Sequence, residues 1–203
     1  MPTVSVNVTY TKKLSEIDKL QNYILNSSGL SAKYQHFISE VVMLRLFSVL
    51  ETSFSECAFK LACGASYRSG IAPILLHNCR SILDAHSNML TLGRRRPTIY
   101  LKWTRADFIE DSIKNVLDTR DSFFLHITNH SLVIDEMRMV RNHIAHGTTS
   151  TRSDYYLVLT RLYGGNPRLN MGAFLTSKTR HTNSNIMRYI QVSKIIINDI
   201  TAG

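Results

Sequence analysis

The sequence predicts a mainly α-helical protein, a helical bundle followed by a small β-hairpin and a C-terminal helix. Apolar residues recur at intervals of three and four along most of the chain, and Gly, Ser and Asn residues separate these periodic stretches. The 203 residues are 44% hydrophobic and 19% charged, which suffices for a packed core without disulfides. We therefore expect one domain over residues 1–203, with a bundle core in 1–147 and an extension in 148–203.

Three helices are predicted in the first half of the chain. Apolar residues at helical spacing in 14–24 predict the first, which the Ser-Ser-Gly segment 27–29 ends. The second extends over about 31–63 and is apolar on a wide face, which is typical of a central helix. The third begins near Pro73, since proline is tolerated in a first turn, and Gly93 stops it.

Capping residues place two further helices before residue 147. Thr104 is positioned to cap a helix that carries apolar residues in 108–117. Ser131 is a suitable N-cap for the next helix, predicted over Leu132–His146. Gly147 can adopt the left-handed conformation that commonly ends a helix.

The extension has a different pattern from the bundle core. Residues 148–151 are hydroxyl-rich and predict a loop, and residues 155–163 are rich in strand formers. The Gly-Gly-Asn-Pro segment 164–167 predicts a turn, so that a hairpin returns through 171–176. Apolar residues in 186–197 predict the final helix.

The charge favours a polyanionic partner. Twenty-four Lys and Arg against fifteen Asp and Glu leave a net charge of +9, and the pI is about 9.6. Nucleic acid is the first expectation and an anionic membrane surface the second, and Lys178, Arg180 and Arg188 in the extension would guide RNA. No signal peptide or membrane span is evident, and three cysteines without a CxxC pair predict reduced thiols and a cytoplasmic location.

The end of the predicted 132–146 helix concentrates the residues with chemical potential. On a helical wheel, Asn142 and His146 lie opposite the apolar stripe and are four residues apart, so the amide can contact the imidazole. Arg141 lies about 140° from His146, beside the apolar face. A partly buried guanidinium at this position requires an anion or a carboxylate.

Residues 141–147 read RNHIAHG, and this string resembles the R-N-x-x-x-H motif of the HEPN superfamily. About 0.6 Arg-x4-His pairs are expected by chance in this composition, and only about 0.04 when Asn must follow the Arg. Arg138 and His143 form a second Arg-x4-His pair, but no Asn follows Arg138. The motif therefore favours Arg141 with His146, within a resemblance that covers about residues 14–147.

The resemblance implies a HEPN-like up-and-down helical bundle and an endoribonuclease that needs no metal or other cofactor. His146 would transfer a proton, Arg141 would hold the phosphate, and Asn142 would orient His146 or bind phosphate. The implied products carry 2′,3′-cyclic phosphate and 5′-hydroxyl ends. The resemblance also implies a homodimer with a composite active site, a role as a toxin or phage-defence effector, and an antitoxin or defence partner.

Four further residues extend the candidate site. Glu51, on the long second helix, resembles the acidic residue that precedes the motif in many HEPN domains. It would pair with Arg141 to support the motif, or act as an acid–base partner. Arg45, Arg138 and His143 are candidates for RNA binding through phosphate contacts.

Three alternatives stay open. The chain could be a non-catalytic HEPN module that binds RNA or nucleotide, or a partner subunit of a toxin–antitoxin or defence complex. A toxin subgroup modified on tyrosine in an R-x4-H-x-Y pattern fits less well, because Thr148 occupies the tyrosine position. His126 and His130 with His143 and His146 resemble a zinc ligand set, but no nearby carboxylate except Asp135 completes it, and we predict no metal.

Overall fold

The computed structural model describes residues 5–165, 167–178 and 182–203, and over these residues the protein is mainly α-helical, as predicted. A single 3₁₀ turn, Ser27–Gly29, follows the first helix. No strand occurs in the described part of the chain. The helices are α1 Val6–Asn26, α2 Ala32–Ala62, α3 Ile82–Thr91, α4 Ala106–Ile113, α5 Ser122–Asn129, α6 Ser131–His146, α7 Thr149–Tyr163, α8 Met171–Thr176 and α9 Asn185–Ala202.

The chain divides into two compact units. The first comprises Met1–Leu14, Leu50–Ile134 and Ile195–Gly203, and the second comprises Ser15–Val49 and Asp135–Lys194. Helices α1, α2, α6 and α9 contribute residues to both units. The prediction of one domain over 1–203 stays a prediction.

In the first unit, the short helices α3, α4 and α5 pack in succession, α4 contacting both of the others. Phe54 of α2, Ile109 of α4 and Phe123 of α5 are fully buried in its core. Leu75 forms an isolated antiparallel bridge with Leu117, which holds the segment before α3 beside the end of α4. Most of this core is aliphatic or aromatic, as expected for stabilisation by burial of apolar surface.

A buried carboxylate organises the loops of the first unit. Asp121, only 1% exposed, caps α5 by accepting a hydrogen bond from the backbone N–H of Phe123 (3.0 Å). It also accepts from the hydroxyl of Tyr67 and from the backbone N–H of Ile74 (2.8 Å). Burial and the neighbouring carboxylate raise the pKa of Tyr67, so this hydroxyl stays protonated as a donor.

The second unit is built around aromatic residues of the extension. Tyr155 of α7, Phe174 of α8 and Tyr189 of α9 are buried, and the rings of Tyr155 and Phe174 meet edge to face at 5.5 Å. Gly172 permits the close approach of α8, since a Cβ atom there would lie 2.3 Å from the Cβ of His36.

The strongest sequence patterns are confirmed. Helices α1, α2 and α9 occupy the predicted segments, and the 27–29 segment ends α1 as a 3₁₀ turn. Helix α6 begins at Ser131, one residue earlier than predicted, and Gly147 follows it with a left-handed φ of 58°.

Two helix starts in the first unit differ from the prediction. The third helix begins at Ile82, capped by Ser81, and not near Pro73. The intervening chain is not helical, and Leu76 and His77 donate their backbone N–H groups to the carbonyl of Val116 (2.9 and 3.2 Å) instead of to a helical partner. The N-cap position of α4 is occupied by Arg105 and not by the predicted Thr104.

The predicted hairpin is wrong. Residues 155–163 belong to α7 and residues 171–176 form α8. Strand-forming residue types were overridden because the buried positions Tyr155, Val158 and Leu159 recur at helical spacing, and tertiary burial outweighs β propensity. Gly164 (φ 73°) ends α7 where the hairpin turn was expected. Asn166, which belongs to the predicted turn, lies outside the described residues.

The predicted loop at 148–151 is also wrong, since Thr148 is the N-cap of α7 and accepts from the N–H of Thr151 (3.3 Å).

The cysteines Cys57, Cys63 and Cys79 are free thiols, and burial raises the pKa of Cys57 to about 12. Within the described ranges, every helix is too short or too polar to cross a membrane.

Replacing Asp121 with alanine should destabilise the protein by about 3 kcal/mol. The substitution removes the α5 cap and leaves the Tyr67 hydroxyl and the Ile74 N–H without their acceptor in a buried place. Urea unfolding measures the change. Asp107→Ala is the matched control, because Asp107 is exposed and its partners, Arg105 and the N–H of Phe108, lie at the surface, so that its loss should cost about 1 kcal/mol or less. Equal effects of the two substitutions would contradict this role of Asp121.

Candidate functional site

Helix α6 presents three kinds of surface. Ile134, Met137 and Val140 are fully buried, which agrees with an apolar stripe on one side of the helix. Arg141 is half-buried beside this stripe, as the helical wheel predicts, and His146 is exposed in the last turn. The helix is therefore held by one face while its C-terminal end is open to solvent.

A buried carboxylate that the sequence did not single out anchors α6 in the second unit. Glu136 is 5% exposed and accepts hydrogen bonds from the hydroxyl of Tyr189 (2.7 Å) and from the guanidinium of Arg188, both on α9. Burial and the Glu136 charge raise the pKa of Tyr189, which keeps its hydroxyl a donor. A Glu inside an apolar stripe is the sequence signal that could have found this contact.

This anchor corrects the expectation that Arg188 guides RNA. Its side chain is 20% exposed, forms an ion pair with Glu136 and stacks over the Tyr189 ring with its Cζ 4.5 Å from the ring centre. Lys178 is exposed, and Arg180 lies outside the described residues.

Arg141 carries a positive charge without a carboxylate partner in residues 5–165, 167–178 and 182–203. Its Nη1 donates to Oδ1 of the adjacent Asn142 at 3.1 Å. The expected contact between Asn142 and His146 is replaced by this one. A guanidinium held by a neutral amide keeps donors and charge available for an anion.

The second Arg-x4-His pair is engaged in structural contacts. Arg138 forms an ion pair with Asp135 at 3.4 Å, one turn earlier on the same helix. The ring of His143 stacks on Tyr155 at 5.1 Å, with 15° between the planes, and its Nδ1 lies 3.3 Å from the hydroxyl of Thr151. Tyr155 is therefore a core residue, and His143 holds α7 against α6.

The end of α6 continues directly into a second helix. Only Gly147 and Thr148 separate His146 from the first turn of α7. The imidazole of His146 has no hydrogen-bond partner among the residues that the structure describes. Thr148 caps the N–H of Thr151, whereas the N–H groups of Thr149 and Ser150 have no partner in the described chain, and helix starts of this kind favour anions. Thr148, a typical N-cap after a helix-ending glycine, was the available sequence signal.

The remaining predicted site residues lie on α2. Arg45 is exposed and belongs to the second unit, which also contains Arg141 and His146. Glu51 is half-buried and belongs to the first unit. The predicted pairing of Glu51 with Arg141 is absent, since Arg141 has no carboxylate partner in the described chain, and a supporting role of Glu51 stays a prediction.

The four histidines of the hypothetical zinc set are used differently. Within the described residues, the group suited to a metal ion is His126, His130 and Asp199, all half-buried in the first unit. His143 and His146 are not part of it. The completing carboxylate comes from α9, far away in sequence.

Comparison with known proteins adds no relative: no family model, curated protein or solved structure matches this chain.

Stability should depend on pH through His143. Burial, and secondly the charge of Arg152, lowers the pKa of His143 below its usual 6.5. The unfolded chain then binds a proton more readily than the folded one, so the contribution of His143 is present above about pH 6.5 and is lost as the pH falls below it. His143→Phe keeps a ring against Tyr155 and cannot be protonated.

Urea unfolding of both proteins between about pH 7.5 and 5.5 tests this dependence, over the range in which histidine titrates. The free energy of unfolding of the wild type should fall relative to that of His143→Phe as the pH is lowered. A wild type that gains stability relative to the variant, or a constant difference, would show that His143 is not held neutral.

Proposed function

We propose that this protein is a metal-independent endoribonuclease of the HEPN type, with Arg141, Asn142 and His146 at its active site. The observation that carries the proposal is the contrast between the two Arg-x4-His pairs of α6. Arg138 and His143 are used within the fold, whereas Arg141 lacks a carboxylate partner in the described chain and His146 is exposed. Free charge and a free imidazole are what a phosphodiester site requires.

The reaction requires two proton transfers and a cation. The 2′-oxygen of the ribose attacks the adjacent phosphorus, the bond from phosphorus to the 5′-oxygen breaks, and a 2′,3′-cyclic phosphate forms. A base takes the proton of the 2′-hydroxyl, and an acid gives a proton to the leaving 5′-oxygen. His146 performs one of these transfers.

Arg141 stabilises the charge that builds on the phosphate oxygens, with paired N–H donors. Asn142 limits the orientations of the guanidinium through their 3.1 Å hydrogen bond. Its amide N–H₂ group can donate to the same phosphate. The start of α7, separated from His146 by only two residues, adds backbone donors for the substrate.

A homodimer would supply the second proton-transfer group, since each chain brings one His146. An exposed apolar row on α2, formed by Tyr34, Phe37 and Val41 at 61%, 63% and 42% exposure, supports self-association. Two copies of the α6 end around one phosphate would form the composite site. Arg45, exposed in the same unit, and the net charge of +9 support binding of the RNA backbone.

Purified wild-type protein should cleave mixed tRNA and mRNA in the presence of EDTA. The products should have 2′,3′-cyclic phosphate and 5′-hydroxyl ends. The cyclic phosphate is detected because it makes the 3′ end resistant to ligation, and the 5′-hydroxyl because polynucleotide kinase labels it directly. His146→Ala and Arg141→Ala should each lower the cleavage rate by about 100-fold or more, because each removes a group needed in the transition state.

Arg138→Ala and His143→Phe are the matched controls on the same helix and should change the rate by less than about tenfold. Cleavage that survives both His146→Ala and Arg141→Ala would overturn the assignment, and greater losses in the controls would mean that the other pair is the active one. Salt-dependent RNA binding without cleavage would favour the non-catalytic module instead.

A further inference from the structure

We infer that His126, His130 and Asp199 form a binding site for a divalent transition-metal ion, with zinc as the preferred metal. One ligand atom of each residue lies within 4.8 Å of those of the other two. The three side chains belong to the first unit and are half-buried. This site is separate from the residues proposed for RNA cleavage and does not depend on that proposal.

The backbone brings these ligands together in a way that metal sites use. His126 lies in the last turn of α5 and His130 is its C-cap, so the two rings are four residues apart and lie on one face. Asp199 comes from α9, and its Oδ2 is 2.8 Å from Nε2 of His130. A tetrahedral zinc ion holds its ligand atoms about 3.3 Å apart, so small side-chain rotations would admit the ion.

The carboxylate already has an outer partner that orients it. Oδ1 of Asp199 accepts from the amide of Asn198 at 3.3 Å, which leaves Oδ2 facing His130. Oδ1 of Asn198 in turn accepts from the guanidinium of Arg68 (3.3 Å), which stacks on the ring of Tyr10 with its Cζ 3.5 Å from the ring centre. Hydrogen bonds of this kind position and tune ligands in known metal sites.

The donor set selects the kind of ion. Two imidazole nitrogens and one carboxylate oxygen suit zinc and related transition metals, whereas calcium and magnesium favour oxygen ligands. Three protein ligands leave a fourth position for water or a small anion.

The proximity of His130 and Asp199 has two explanations, a hydrogen bond between them or a shared metal ion. His126 distinguishes these explanations, because it is a ligand only in the metal site. The His126 side chain has no hydrogen-bond partner within the described chain. Removing it therefore leaves the contact between His130 and Asp199 intact and takes away one metal ligand. A metal ion would join the end of α5 to α9 and stabilise the folded state according to its affinity.

The test is titration of the full chain, first dialysed against EDTA and then freed of it, with zinc chloride in a calorimeter. The wild type should bind one zinc ion per chain, and thermal unfolding should shift to higher temperature with zinc. His126→Gln should weaken zinc binding by about 100-fold or more, since even outer-shell changes cost 10–100-fold. Its thermal unfolding without metal should match that of the wild type.

His77→Gln is the matched control, because His77 is exposed in the same unit and lies outside the cluster. This variant should bind zinc as the wild type does. The inference is overturned if the wild type binds no zinc, or if His126→Gln binds it with unchanged affinity and stoichiometry. RNA cleavage is assayed in EDTA, so failure of the metal site and failure of the proposed nuclease are separate outcomes.

Discussion

The orientation of α6 in the second unit depends on one buried carboxylate. Glu136 is almost completely removed from water, and a carboxylate in that position is costly unless donors surround it. The donors are Arg188 and Tyr189 on α9, so the rotation of α6 about its axis and its register against α9 are set together. The same rotation that buries Met137 and Val140 brings Arg141 to the edge of the apolar face and leaves His146 in solvent.

The carboxylate partners of the arginines indicate where an anion can bind, whereas the number of basic residues does not. The net charge of +9 favours a polyanion but gives no location. Arg138 and Arg188 are each paired with a carboxylate, Arg138 with Asp135 on the same helix and Arg188 with the buried Glu136. Among the described side chains, Arg141 donates a hydrogen bond only to a neutral amide, which makes it the cation on α6 with capacity for an external anion.

The histidines of residues 126–146 divide among three environments, although the sequence presents them as one group. His126 and His130 meet Asp199, His143 stacks on Tyr155, and His146 is exposed. These environments suit metal binding, packing and proton transfer respectively. These four histidines therefore do not form one site, because the environment of each ring depends on which residues lie against its side of the helix.

The sequence alone determined the features that depend on near neighbours in the chain. Helical periodicity located α1, α2, α6 and α9, and the Asn that follows Arg141 selected one Arg-x4-His pair over the other. Tertiary structure alone decided that 155–163 is a helix, that Arg188 is buried against Glu136, and that Asp199 joins His130. Caps and apolar spacing act within a few residues. Arg188 and Glu136, by contrast, are 52 positions apart and His130 and Asp199 are 69 positions apart, so each pair meets only when the chain has folded.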